Sequence, residues 1–221
     1  MRLTTSLFQG EIEIYNSDVT NLVIENPTVM RKLVEDIYNQ TEGGDGEVIL
    51  FDHDRIVKMS KSVELVTTLF PFGVNEKRLL TKLCSILEKE AVNEKNYLDT
   101  MEFLAEMEKY LMLLAELFPC SVSFQNINIA SIIKASGLTI VDDSTKGIER
   151  VFNYMNIVRD LLGEKLFIFV NLRAFFNSED LSLFVDTVLA HEFHVLLIDN
   201  KEGDKINNIH RITVDNDLCV F

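Results

Sequence analysis

The sequence predicts an α/β protein with a helical segment inserted between two strand-bearing parts, and three observations carry this reading. Two runs in the last third, Leu166–Val170 and Phe193–Ile198, are continuously apolar rather than alternating, as in strands covered on both faces. Helical patterns precede and separate them, at Ile148–Leu162 and from Ser178 to Ala190, which is the order of a parallel sheet with crossover helices. In the middle third, Glu76–Ala91 and Asn96–Phe118 keep helical periodicity without a Gly or Pro until Pro119.

Taken in order, the chain opens with short strands. Leu3–Phe8 is apolar-rich, Gly10 suits a turn, and Ile12 and Ile14 alternate with Glu11 and Glu13 at the period of a half-buried strand. Leu22–Ile24 is a third strand, and Asn26-Pro27-Thr28 begins a helix over Val29–Tyr38. Thr41–Gly46, with three glycines, is a loop. Val48–Phe51 and Ile56-Val57 flank Asp52-His53-Asp54 as a hairpin. The two long helices, joined by a short connection, are expected to lie side by side as an antiparallel pair. A shorter helix, Ile127–Ala135, is closed by Gly137, a residue suited to a helix C-terminus. Beyond the second buried strand, His210–Val214 and Leu218–Val220 are expected to form a closing hairpin.

The 221 residues are long enough to bury a core without disulfides, and 47% hydrophobic with 25% charged residues excludes a disordered chain. The net charge of −14 argues against a surface uniformly coated for nucleic acid. Three cysteines, Cys84, Cys120 and Cys219, have no CxxC spacing and fit reduced thiols. Neither a signal peptide nor a membrane span is expected, so a cytoplasmic location is.

The motifs exclude more than they assign. His191-Glu192-Phe193-His194 places two histidines at i and i+3, whereas a zincin helix needs HExxH. Gly43, Gly44 and Gly46 precede a strand and lack the Lys-Ser/Thr of a phosphate loop. The connection where such a loop belongs reads Glu25-Asn26-Pro27-Thr28, with no glycine or lysine. Val195–Asp199 has the form of a Walker-B strand, which keeps a P-loop-like NTPase as a rival reading, alongside a protein-binding scaffold that never touches DNA. Charge is more telling. Residues 51–82 carry net +2 in a chain whose remainder carries −16, and Arg55, Lys58 and Lys61 recur at i, i+3 and i+6 as a candidate phosphate-contacting strip.

Several stretches in order, LFQGEIEIYNSDVTNLVIENPTVMRKLVEDIY, GEVILFDHDRIVKMSKSVELVTTLFPFGVNEKRLLTKL, IIKASGLTI and KLFIFVNLRAFFNSEDLSLF, resemble the adaptation protein of type II-A CRISPR systems, in its short, ring-forming, DNA-end-binding form. The resemblance runs nearly end to end. It implies a degenerate P-loop-ATPase-like α/β head, here residues 1–62 and 148–221, with an inserted α-helical leg at 63–147. It implies a homotetrameric ring that binds double-stranded DNA ends without enzymatic activity and without a nucleotide. Such a ring supports spacer acquisition in bacterial antiviral defence together with the CRISPR integrase proteins and the RNA-guided nuclease. DNA contacts are expected from Arg55, Lys58 and Lys61, and also from Lys134, Lys146 and Arg150. The family's leg carries acidic residues after the long helix that are associated with bound calcium. The corresponding stretch here, PCSVSFQNINIASIIKAS, has no Asp or Glu, and Glu116, Asp142 and Asp143 are the candidate ligands left nearby.

Overall fold

The computed structural model describes residues 1–15, 17–69, 73–124, 127–142 and 147–221. In chain order its elements are β1 (Arg2–Thr4), β2 (Glu11–Glu13), β3 (Val19–Ile24), α1 (Pro27–Thr41), β4 (Ile49–Asp52), β5 (Arg55–Val57), α2 (Met59–Ser62) and β6 (Val63–Val66). Then come α3 (Lys77–Ala91), α4 (Tyr97–Ala115), α5 (Ile129–Ala135), α6 (Gly147–Leu162), β7 (Leu166–Val170), a 3-10 turn (Leu172–Ala174), α7 (Ser178–Ala190), β8 (His194–Asp199) and β9 (Ile209–Val214). The chain divides into two compact units. One comprises Met1–Phe72, Ser144–Arg159 and Gly163–Phe221, and the other Gly73–Asp143 with Asp160–Leu162. Among the described residues no helix is long and apolar enough to cross a membrane.

The first unit is a mixed α/β body. Its main sheet has the order β6-β7-β8-β3-β9, and every neighbouring pair is parallel. β3 is buried along its whole length, as a strand flanked on both edges and covered on both faces must be. Leu22 and Ile24 of β3 join Leu196 and Ile198 of β8 and Leu166 and Ile168 of β7, packed with Leu33 and Ile37 of α1. Residues of the intervening positions point to the opposite face, where Phe169 of β7 meets Phe184 of α7 edge-on at 5.7 Å. A smaller antiparallel sheet, β2-β1-β4-β5, shares the α1 core through Leu3, Ile12 and Leu50.

Two features of this unit depart from the sequence reading. His210–Val214 does more than close a hairpin. It lies in β9, paired in parallel with β3 from Val19↔Ile209 to Ile24↔Val214, and the last residues turn back on its end as the expected antiparallel hairpin, with the bridge Val214↔Val220 and the amides of Thr213 and Phe221 each donating to the other's carbonyl at 3.1 and 3.0 Å. The second is β6, an edge strand of the main sheet in a stretch expected to open the helical insertion. Its register with β7, Val63↔Leu166 to Val66↔Phe169, buries Val63 and Val66. That also buries Glu64, which accepts a hydrogen bond from the Tyr154 hydroxyl at 2.8 Å.

The second unit is helical. Its α3–α4 connection is a tight turn, in which the Asn93 side chain accepts from the amides of Lys95 and Asn96 and the Thr100 hydroxyl donates to the Ala91 carbonyl. The side-by-side helix pair expected from sequence is not formed. α3 packs chiefly against α5. Along α4 only Thr100 is buried, and within this unit Leu98, Met101, Phe103, Leu114 and Leu117 stay exposed.

Candidate nucleic-acid interface

Arg55 opens β5, an edge strand of the small sheet, directly opposite Asp52 across a turn in which His53 takes the left-handed conformation at φ 54°. Lys58 follows the strand, and its carbonyl accepts from the amides of Lys61 and Ser62, starting the single turn of α2. All three cations are exposed. Their i, i+3, i+6 spacing is therefore not one helix face, since Arg55 is on a strand and Lys61 on a helix. They do form one short, continuous basic segment. Among the described residues none of the three makes an ion pair, so their charge is available to an outside anion. The backbone beneath is anchored, because the buried Lys165 ammonium donates to the Lys61 carbonyl.

The other expected residues are dispersed. Arg150 is half-buried on α6, and Lys134 is exposed on α5 in the second unit. Lys146 lies outside the described residues, as does Asp143. Glu116 is exposed at the C-terminal cap of α4, and Asp142 is half-buried beyond α5. Among the described residues no three His, Cys, Asp or Glu side chains are placed to hold a metal ion. Calcium takes six to eight oxygens, and the described carboxylates do not cluster to supply three of them. His191 ends α7 and is exposed, while His194 starts β8, where burial lowers its pKa.

The C-terminal ends of the parallel strands, where α/β sheets commonly take ligands, are closed by the chain's own side chains. At the start of α1, Asn26 Oδ1 accepts from the amides of Thr28 and Val29 at 3.0 and 3.3 Å. These are the donors a phosphate at a helix N-terminus would take. Beside it, Asp199 of β8 is buried, accepts from Asn21 Nδ2 of β3 at 2.7 Å and faces Arg173 Nε at 3.6 Å. Burial pushes the Asp199 carboxyl above its ordinary value, and Asn21, Arg173 and Arg211 pull it part of the way back. Arg173 and Arg211 also hold the loop between β8 and β9. Arg173 Nη1 donates to the Asp204 carbonyl at 3.1 Å and Arg211 Nη2 to that of Gly203 at 2.7 Å. A Cβ at Gly203 would come within 2.4 Å of Arg173 Nη1, so a side chain there would displace the guanidinium. Of this group the sequence singled out Asp199 alone. Asn21, a polar residue inside the apolar run of β3, was the available signal for its partner.

Comparison with known proteins gives a consistent assignment. Residues 37–218 match the family described as CRISPR-associated protein (Cas_Csn2). The chain is 24% identical over 212 residues to the CRISPR-associated protein Csn2 of Streptococcus agalactiae, covering 93% of this chain and 91% of that one. Its fold is similar to the crystal structure of Stu0660 of Streptococcus thermophilus, with a TM-score of 0.58 at 13% identity, over 97% of this chain and 74% of the other.

Proposed function

Because the chain belongs to the Cas_Csn2 family of CRISPR-associated proteins, we propose that it is a non-enzymatic homotetrameric ring that takes double-stranded DNA ends and supports spacer acquisition. In this reading the first unit is a P-loop-ATPase-like head without a nucleotide site and the second is the inserted leg. It works in the bacterial cytoplasm beside the CRISPR integrase proteins and the RNA-guided nuclease. The observation that carries DNA binding is the exposed basic segment Arg55–Lys61, whose Arg55, Lys58 and Lys61 make no ion pair among the described residues, in a chain of net charge −14. One such segment is a weak anion site. Four copies around one duplex would make on the order of 8 phosphate contacts, for a salt slope near −7 by counterion release. Backbone contacts carry no base information, so binding is indifferent to sequence. The bare face of α4 supports self-association. The occupied amides at Asn26 support a lost nucleotide site, and the rival NTPase reading has in Asp199 a carboxylate already engaged by Asn21 and Arg173.

The test is an affinity titration at several salt concentrations on linear and relaxed circular DNA of one sequence. A threaded ring binds the linear form and not the circle, and Arg55→Ala with Lys58→Ala flattens the salt slope without changing oligomeric mass. Equal binding to both forms removes the ring, an unchanged slope removes these residues, and no binding to either favours a protein scaffold.

A further inference from the structure

The loop between β8 and β9 is held by side chains. None of the residues 200–208 is buried, and among the described residues the stretch 201–205 makes no backbone–backbone hydrogen bond. Arg173 Nη1 and Arg211 Nη2 both reach the Asp204 carbonyl, at 3.1 and 3.4 Å, and Arg211 Nη2 also donates to that of Gly203. The Ser178 hydroxyl donates to the Asp204 carboxylate at 2.6 Å, and the Glu202 carboxylate accepts from Thr213 and faces Arg211. A segment with neither buried apolar contacts nor a backbone ladder opens at low free-energy cost.

Arg173 also ties this loop to the interior. Its guanidinium is a rigid plane, and two acceptors claim it. It is hydrogen-bonded to the Asp204 carbonyl, while its Nε stands 3.6 Å from Asp199 Oδ2, beyond hydrogen-bond reach. Arg173 Nε and Nη2 are buried without a hydrogen-bond partner among the described residues, and so are Asn21 Oδ1 and Arg211 Nε. Turning the Asn21 amide over is no remedy, because its Nδ2 is committed to Asp199 Oδ2 at 2.7 Å. Buried donors left unpaired are costly, so an ionised Asp199 draws Arg173 towards it and away from the loop. How strongly it draws depends on its proton. Burial holds that proton on above the ordinary carboxylate range, against the opposing pull of Asn21, Arg173 and Arg211.

We propose that residues 201–205 form a strap with Arg173 as its proton-controlled catch. Over neutral Asp199 the guanidinium stays on the Asp204 carbonyl and the strap is closed. Over ionised Asp199 it moves onto the carboxylate and the strap loosens, uncovering the polar groups at the strand ends. The sense of the response identifies the acid. Glu202 and Asp204, the strap's own carboxylates, serve as acceptors for Thr213, Arg211 and Ser178, so control by them would loosen the strap as pH falls. Control by Asp199 loosens it as pH rises. The proposal does not depend on DNA binding.

The experiment uses the full chain with Cys84, Cys120 and Cys219 replaced by Ser. A nitroxide spin label is placed on Lys205→Cys, an exposed position in the strap, or on Lys32→Cys, an exposed position of α1. Electron paramagnetic resonance line shapes are recorded from the ordinary carboxylate range to above neutrality. The expected result is a severalfold larger mobile component at position 205 as pH rises through the Asp199 titration, with position 32 unchanged. In Asp199→Asn the label at 205 stays slow at every pH. In Arg173→Gln it stays mobile at every pH, because the catch is gone. A line shape at 205 that ignores pH, a response that survives Asp199→Asn, or mobility that grows as pH falls overturns the proposal. So does a change shared by position 32, which reports loosening of the whole unit. Circular dichroism checks the fold of each variant, and if Asp199→Asn does not fold, the direction of the trend and its loss in Arg173→Gln decide.

Discussion

Asp199 shows how a buried acid can be tied down and still carry a cost. Its carboxylate has Asn21 as a hydrogen-bond donor and Arg173 as a counter-charge, yet loss of hydration is the largest influence on it and raises its pKa. A raised value means that the folded chain holds this proton more tightly than the unfolded chain does. The associated stability is present in full below the ordinary carboxylate range and is lost as pH rises through the folded value. Asp199→Asn removes that loss. Urea unfolding of the variant and the natural chain across this window should show the stability difference moving in the variant's favour as pH increases. A difference that is flat, or that moves the other way, contradicts the assignment. Glu64 and Lys165 are buried by the same sheet, on β6 and just before β7, and each is met by a hydrogen bond, from Tyr154 and to Lys61 respectively.

At the scale of elements, local signals and long-range ones were unequally legible. The helix α1 was legible because Asn26, Pro27 and the stripe Val29, Met30, Leu33, Val34, Ile37 and Tyr38 are all local. The structure places Asn26 as the cap and buries Val29, Met30, Leu33 and Ile37, while Val34 is half-buried and Tyr38 is exposed. Asn26→Ala should cost the fold about 1 kcal/mol in chemical denaturation, since two amides lose their acceptor, and a loss below a few tenths would show that water replaces the cap. The buried runs of β7 and β8 were legible for the same reason. What sequence could not supply was pairing. Ile209–Val214 has the composition of a hairpin strand, and only the distant β3 makes it parallel. Val63–Val66 is four residues long and needs β7 to define it. In the candidate interface, the positions of Arg55, Lys58 and Lys61 follow from local order. The partnership of Asn21, Arg173 and Arg211 with Asp199 depends on four separate elements and left no spacing to read.

At the scale of the whole molecule, α4 is the strongest pointer to assembly. A 19-residue helix that buries one residue within its own unit exposes apolar surface of the kind that specific association covers. Under the proposed tetramer, light scattering should give about four times the 25.3 kDa chain mass. Replacing both Leu98 and Leu117, 76% and 78% exposed, by Glu should lower that mass while leaving helicity intact. A tetramer that survives both changes would place the contacts elsewhere. The parallel sheet has a further consequence, in time rather than in space. Both edges of β3 are closed by strands made from the far end of the chain, and Asn21 meets a carboxylate 178 residues away. During synthesis β3 therefore leaves the ribosome as an apolar strand with neither neighbour yet made, and the main sheet cannot form around it until residues 194–214 arrive. Contacts of such separation fold slowly, so the nascent chain carries an unpaired, aggregation-prone strand for most of its translation.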